Sequence, residues 1–283
     1  MELASRIEQV KASPTLGISA EANRLAAAGQ DIINLGAGEP DFDTPEHIKQ
    51  AAQAAIEAGF TTYTATEGTK ELRQAVVENF ERDKSIAADP EQVLVSPGAK
   101  FSLFLALQAV VDEGQEVILP TPYWVTYPEQ IKFVGGEIKE VATDEANDFK
   151  LTPGQLKQAI TDRTACLILN TPSNPAGTVY SKQELVELAE VAVEADIFVI
   201  ADEIYNKISY EAQAASIGAL GPEIKERTIT IDGVSKAYAM TGWRIGWLAG
   251  GTTVIDEVVK IREATPSCPS SPAQHAAIEA LAG

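Results

Sequence analysis

The sequence predicts an α/β fold, a mostly parallel sheet with helices on both faces. Three observations predict it. Short apolar runs recur along the chain, longer amphipathic stretches separate them, and the residues suited to chemistry follow the apolar runs rather than interrupting them. A strand that is apolar at every position is buried on both sides, and helices supply the cover.

The N-terminal part departs from this alternation. A helical stretch, Ala20 to Ala28, leads to Ile32-Ile33-Asn34-Leu35. The run Gly36-Ala37-Gly38-Glu39-Pro40-Asp41-Phe42-Asp43-Thr44-Pro45 then concentrates loop-forming residues. Residues 1–44 read as an N-terminal arm and residues 45–283 as the large domain. In that domain Val93-Leu94-Val95 precedes a helix expected from about Ala99 to Val111. Val117-Ile118-Leu119 is the next strand, followed by a loop holding Tyr123 and Trp124. Pro153 to Thr161 reads as a short helix and Ala165 to Leu169 as a buried strand. Lys182 to Glu194 reads as a helix with Ser181 as its N-cap. Ile197 to Ala201, Thr228 to Ile231 and Ile245 to Ala249 complete the strands. There is no internal repeat and no low-complexity segment.

At 283 residues and 45% hydrophobic, the chain can bury one large core or two modest ones. A net charge of −19 argues against a general nucleic-acid or anionic-membrane surface. Cys166 and Cys268 match no metal spacing, and Cys166 lies in an apolar run that reads as core. His47 and His275 have no clustered ligands, so no metal site is expected. Met1-Glu2-Leu3-Ala4-Ser5-Arg6 does not read as a signal peptide, and no apolar run is long enough to span a bilayer. A cytoplasmic protein is expected.

Open α/β sheets bind ligands beyond the carboxyl ends of their strands, and the unusual residues fall there. Ser96-Pro97-Gly98-Ala99-Lys100 opens a helix, where free backbone N–H groups can receive a phosphate. The plainer reading of such a turn is a helix cap. Asn170-Thr171-Pro172-Ser173-Asn174-Pro175 follows the next run, and the proline biases Asn174 toward an extended conformation that can aim its amide at a ligand. Asp202 ends a buried strand, where a carboxylate is costly unless paired. An N-cap or a buried salt bridge would satisfy it as well as a ligand. Tyr205 lies three residues on, and Trp124 can stack on a flat ligand or simply fill core. Lys236 alone would read as a solvated charge, but it sits in a tight segment, Ser235-Lys236-Ala237-Tyr238-Ala239-Met240-Thr241-Gly242-Trp243-Arg244.

Taken together these parts suit one cofactor. A lysine amine can condense with an aldehyde, an arginine can hold a phosphate through paired hydrogen bonds, and an aspartate can keep a pyridine nitrogen protonated. Lys236, Arg244 and Asp202 therefore point to pyridoxal 5′-phosphate (PLP).

The segments Gly38-Glu39-Pro40-Asp41-Phe42, Pro122-Tyr123-Trp124, Asn174-Pro175, Asp202-Glu203-Ile204-Tyr205 and Gly233-Val234-Ser235-Lys236 through Arg244-Ile245-Gly246 occur in this order. In them the chain resembles the class I, fold-type-I PLP aminotransferases, in particular the bacterial-type aspartate aminotransferases. The resemblance implies a PLP-transferase-like large domain, with residues 1–44 forming the arm and part of a small domain. It implies that Lys236 holds the cofactor covalently and shuttles a proton, that Asp202 pairs with the ring nitrogen, and that Tyr205 and Asn174 bond the ring oxygen. Trp124 would stack on the ring. Gly98, Ala99, Lys100 and Arg244 would hold the phosphate. Tyr63 would reach the phosphate of a neighbouring subunit, which implies a homodimer. Gly38 and Asn174 would meet the substrate α-carboxylate and Lys100 its distal carboxylate, favouring aspartate and glutamate.

The chain departs from the family in two respects. It stops at Ile278-Glu279-Ala280-Leu281-Ala282-Gly283, inside an expected helix, whereas family members continue through the rest of the small domain and the arginine that grips the α-carboxylate. Arg262 and Arg244 stand at other positions. The expectation is a full-length aminotransferase whose truncated form binds PLP and turns over poorly. Gly233 also lacks a side chain that the family often places near the phosphate. Prephenate, aromatic or alanine-type transamination, a lyase reaction on the same scaffold, and a truncated PLP-binding or dimerisation module are the alternatives.

Overall fold

Seven strands form a single sheet among the described residues, which are 4–8, 10–11, 14–36, 38–210 and 214–283 of a computed structural model. Met1-Glu2-Leu3 and Ala37, used in the sequence readings above, lie outside them. The strands are β1 (Val93–Ser96), β2 (Glu116–Thr121), β3 (Glu137–Ala142), β4 (Thr164–Asn170), β5 (Phe198–Asp202), β6 (Thr228–Gly233) and β7 (Gly246–Ala249). Their spatial order is β1-β7-β6-β5-β4-β2-β3. β3, β2, β4, β5 and β6 pair in parallel, and β7 runs antiparallel to both β6 and β1.

Side-chain alternation divides the central strands between two cores. Cys166, Ile168 and Ile200 face a cluster with Leu103, Leu107, Tyr127 and Ile131. Leu167, Leu169, Val199 and Ala201 face the opposite cluster, with Leu156, Leu185 and Leu188. Both faces of β4 and β5 are thus covered by helices, which is why these strands read as unbroken apolar runs. Cys166 is a core residue, and burial pushes its thiol up to about 12. A third cluster joins β1 and β7 to the helices Glu46–Glu57, Lys70–Lys84 and Ser271–Ala282 through Val95, Trp247, Ile48, Phe80 and Ala276.

The helix at Lys182–Glu194 has the expected bounds, with Ser181 in a capping box with Glu184. The helix from Pro153 ends at Ala159, and the helix expected from about Ala99 to Val111 spans Ala99–Val110. β3 was not anticipated. It is an edge strand, Glu-Ile-Lys-Glu-Val-Ala, without the unbroken apolar run that marks the others. β4, β5 and β6 each run on to Asn170, Asp202 and Gly233, so chemistry-bearing residues end the strands themselves. Within residues 1–44 a helix covers Pro14–Ala27, while Ile33 and Leu35 are 85% and 89% exposed. No described helix is long and apolar enough to cross a membrane.

Candidate active site

Parallel register brings the critical residues to one edge. Asn170 pairs with Asp202 across β4 and β5, and Asp202 pairs with Ile231 of β6, two residues before Gly233. The chain then turns into the short helix Val234–Ala237, which carries Lys236.

Asp202 is 4% exposed and forms no ion pair with a described cation. Tyr127 donates its hydroxyl to Oδ2 at 2.8 Å, and the Ile204 N–H approaches Oδ1 at 3.3 Å. Burial lifts the Asp202 carboxyl to about 6, against the lowering effect of these two bonds. Burial, then the Asp202 charge, drives the Tyr127 hydroxyl well above its ordinary value, so Tyr127 remains a donor. Asn170 fixes the neighbouring loop: its Nδ2 donates to the Asp202 carbonyl at 2.9 Å, and its Oδ1 accepts the Asn174 N–H at 2.7 Å. Asn174 in turn lies 3.3 Å from the Tyr205 hydroxyl. Burial raises the Tyr205 phenol, while the Asn174 bond opposes the rise.

Lys236 is half-buried. Its Nζ donates to the Gly38 carbonyl of the arm and lies 5.9 Å from the centroid of the Tyr205 ring. Burial depresses its ammonium; Glu39 opposes this, and Arg244 and Lys100 add to it. The arm is tied to the same segment by Thr44 Oγ1, which donates to the Ala239 carbonyl at 2.7 Å, and by Thr241 Oγ1, which donates to Glu39 at 2.6 Å.

An anion cradle lies beside the amine. The helix Ala99–Val110 begins after Gly98, whose φ of 94° is left-handed. The Phe101 N–H already bonds the Gly98 carbonyl at 2.9 Å, so the N–H groups of Ala99 and Lys100 are the ones that precede the helical ladder and can meet a ligand. Arg244, itself at φ 59°, lies over Gly98 so closely that a Cβ there would meet Nη2 at 2.5 Å. Its guanidinium is held by the carbonyls of Thr241 at 2.7 Å and Pro97 at 3.2 Å. A Cβ on Gly246 would stand 2.3 Å from the Ala99 nitrogen, so only glycine lets β7 pass beneath the helix start. The Gly233 departure has the same origin: a Cβ would meet the Gly246 Cα at 2.8 Å. With these glycines the backbone itself closes the space that a side chain at 233 would occupy.

Lys100 follows in this helix, its Nζ 4.9 Å from the Trp124 ring centroid, and burial followed by Arg244 lowers its ammonium. Trp124 stands edge-on to Tyr127 at 5.5 Å. The structure therefore brings together Gly38, Gly98, Ala99, Lys100, Trp124, Asn174, Asp202, Tyr205, Lys236 and Arg244. Tyr63 joins none of these contacts and stands 91% exposed. Arg262 is buried against Phe101, 5.5 Å from its ring, and burial draws its guanidinium down to about 10. Tyr127 and Asn170 were not assigned roles from the sequence.

Orphan helix-start donors, a guanidinium, a buried acid without a cation and a half-buried amine fit a phosphorylated pyridine aldehyde. Fold and site together define an α/β enzyme of the PLP-transferase type. The family profile described as "Aminotransferase class I and II" matches residues 30–283. The chain belongs to this family, and the family implies PLP as cofactor. It is 46% identical to the aspartate aminotransferase of Bacillus subtilis (strain 168), covering 100% of this chain and 72% of that protein. It is equally 46% identical to the aspartate/prephenate aminotransferase of Nitrosomonas europaea, again over 100% of this chain and 72% of the relative. The solved aspartate aminotransferase from Thermus thermophilus with maleate superimposes with a TM-score of 0.96 at 42% identity, over 99% of this chain and 73% of that one.

Proposed function

We propose that this aminotransferase moves the amino group of aspartate or glutamate to a 2-oxoacid, using PLP at the site formed by Lys236, Asp202 and Arg244. The observation that carries the reading is their convergence at one sheet edge, beside a helix start cleared by glycines. The names of the relatives support acidic donors, and so does a cation, Lys100, poised over Trp124.

When bound, the cofactor supplies a reactive aldehyde and an electron-accepting ring. Lys236 would hold that aldehyde and, once freed from it, would serve as the base that moves the substrate α-proton. A lysine can do this only when partly neutral, and its burial beside Arg244 and Lys100 favours that state. Asp202 would pair with the ring nitrogen and keep that nitrogen protonated. Tyr205 and Asn174 would bond the ring oxygen, and Trp124 would stack on the ring. Arg244, Gly98, Ala99 and Lys100 would receive the phosphate. Gly38 and Asn174 would meet the substrate α-carboxylate, and Lys100 the distal one. In a homodimer, Tyr63 would reach the partner's phosphate. Residues 1–44 act as an arm on the large domain of residues 45–283. Donor and acceptor use the site in turn, so the kinetics are ping-pong.

The test is direct. Protein mixed with PLP should absorb in the visible, and borohydride should leave the cofactor covalently on the peptide containing Lys236. Lys236→Ala should lose both signals and all turnover. Aspartate should bleach the visible band of the wild type. Fixation at another lysine, or no PLP uptake at saturation, would falsify the assignment.

A further inference from the structure

Lys84 ends the helix Lys70–Lys84, yet its side chain is only 2% exposed. Its Nζ lies 2.5 Å from Glu203 Oε2 and 3.0 Å from Asp232 Oδ2, and both carboxylates are buried. Every remaining carboxylate oxygen is also bonded. Ser216 donates to Glu203 Oε1 at 2.6 Å, the Gly233 N–H donates to Asp232 Oδ1 at 2.7 Å, and Asn206 Nδ2 donates to Asp232 Oδ2 at 3.1 Å.

The cluster spans two chain segments that matter to the reaction. Glu203 directly follows Asp202, and its N–H bonds the Ile231 carbonyl at 2.9 Å. Asp232 directly precedes Gly233, at the turn into the Lys236 helix. Lys84 therefore cross-links the ends of β5 and β6, one bearing the ring-facing acid and the other leading to the amine. Buried ion clusters seldom hold a fold together better than apolar side chains of the same volume. What an apolar substitute lacks is charge, and here two acids share one base.

We propose that Lys84, Glu203 and Asp232 act as positioning residues for the cofactor ring: they lock Asp202 beside the turn to Lys236 and place an excess negative charge behind it that favours the protonated ring. The proposal rests on Asp202 facing the ring nitrogen. Burial holds the Glu203 and Asp232 carboxyls above their usual range, and those carboxylates hold Lys84 above its own. Their charges also add to the burial-driven rise at Asp202. The other groups facing these carboxyls are Tyr127 and Tyr205 at Asp202, and Lys207 at Asp232.

The experiment uses the holoprotein loaded with PLP carrying 15N at the ring nitrogen, and follows its chemical shift against pH. Asp232→Asn leaves one acid on one base and should lower the ring-nitrogen midpoint by about one pH unit. Lys84→Met should move it the opposite way. If Lys84→Met does not fold, Glu203→Gln/Asp232→Asn with Lys84 retained should lower the midpoint further than Asp232→Asn alone. A sign that follows the charge removed supports the proposal, because mere loosening would move every variant the same way. Asp202→Asn is the control. If it moves the midpoint and Asp232→Asn does not, the positioning role is overturned and the ring assignment stands. If Asp202→Asn leaves the midpoint in place, the ring assignment fails and the positioning role with it.

Discussion

Burial of the Asp202 carboxyl carries a cost in stability. Its folded carboxyl titrates near 6, above the ordinary carboxylate value, because it is buried. A raised folded value means that the native state holds the proton more tightly than the unfolded chain. The stability linked to that proton is full below the unfolded value and is lost as pH rises through the folded one. Asp202→Asn should therefore leave apoprotein stability almost unchanged near about pH 4 and raise it by up to roughly 3 kcal/mol near about pH 8. Urea unfolding of the apoprotein at the two pH values checks this. An equal gap at both would mean that the carboxyl is not the source. At this scale the sequence was informative where residues cluster in one segment: Lys236 and Arg244 share a run, and Asp202 and Tyr205 share another. It was silent on Tyr127 and Asn170, whose roles depend on contacts across 75 and 32 positions of chain. Lys84 was equally hidden, since its partners lie 119 positions away at Glu203 and further on at Asp232.

The anion cradle depends on how closely β7 approaches the helix Ala99–Val110. Gly246 faces backbone atoms on both sides of the Gly98–Ala99 link, at 2.3 and 2.6 Å from an added Cβ. Backbone cannot rotate away as a side-chain tip can, so Gly246→Ala must displace the helix start. Overpacking of this kind costs about 1–3 kcal/mol or more, and here it would also misplace the phosphate donors. Gly246→Ala should lower the melting temperature and weaken PLP binding together, while Gly242→Ala, with nothing within 4 Å of its added Cβ, should leave the melting temperature unchanged. Thermal melts and a PLP titration of both variants make the comparison. The elements legible in the sequence were those with unbroken apolar runs, β4 and β5 above all. β3 was missed because it is an edge strand whose positions are all exposed or only half-buried, so it carries no such run. The helices Glu46–Glu57 and Lys70–Lys84 were missed because their buried positions, such as Ile48 and Phe80, are spread among charged residues.

For the molecule as a whole, the fold class could be read because burial on both sheet faces leaves a compositional trace. Assembly leaves a fainter one. Ile33, Leu35, Phe42, Phe60 and Tyr63 are all at least half exposed, and exposed apolar side chains of this size can mark an interaction surface. In the proposed homodimer this surface would be available to the second subunit. Sedimentation should then show a dimer, and the melting temperature should rise with protein concentration. Leu35→Glu should shift the protein toward monomer and weaken PLP retention, because the Tyr63 contact across the interface would be lost. A variant that stays dimeric with normal retention would exclude the arm from the contact.

β7 runs against its neighbours, and that reversal has a consequence for how the chain can vary. Because β6 ends close to where β7 begins, one connection, residues 234–245, carries both the proposed covalent anchor, Lys236, near its start and the proposed ionic anchor, Arg244, near its finish. The two grips on the vitamin cannot drift apart independently. An insertion between the two anchors in that connection would put both out of alignment at once, so its length should prove far less tolerant of change than its composition.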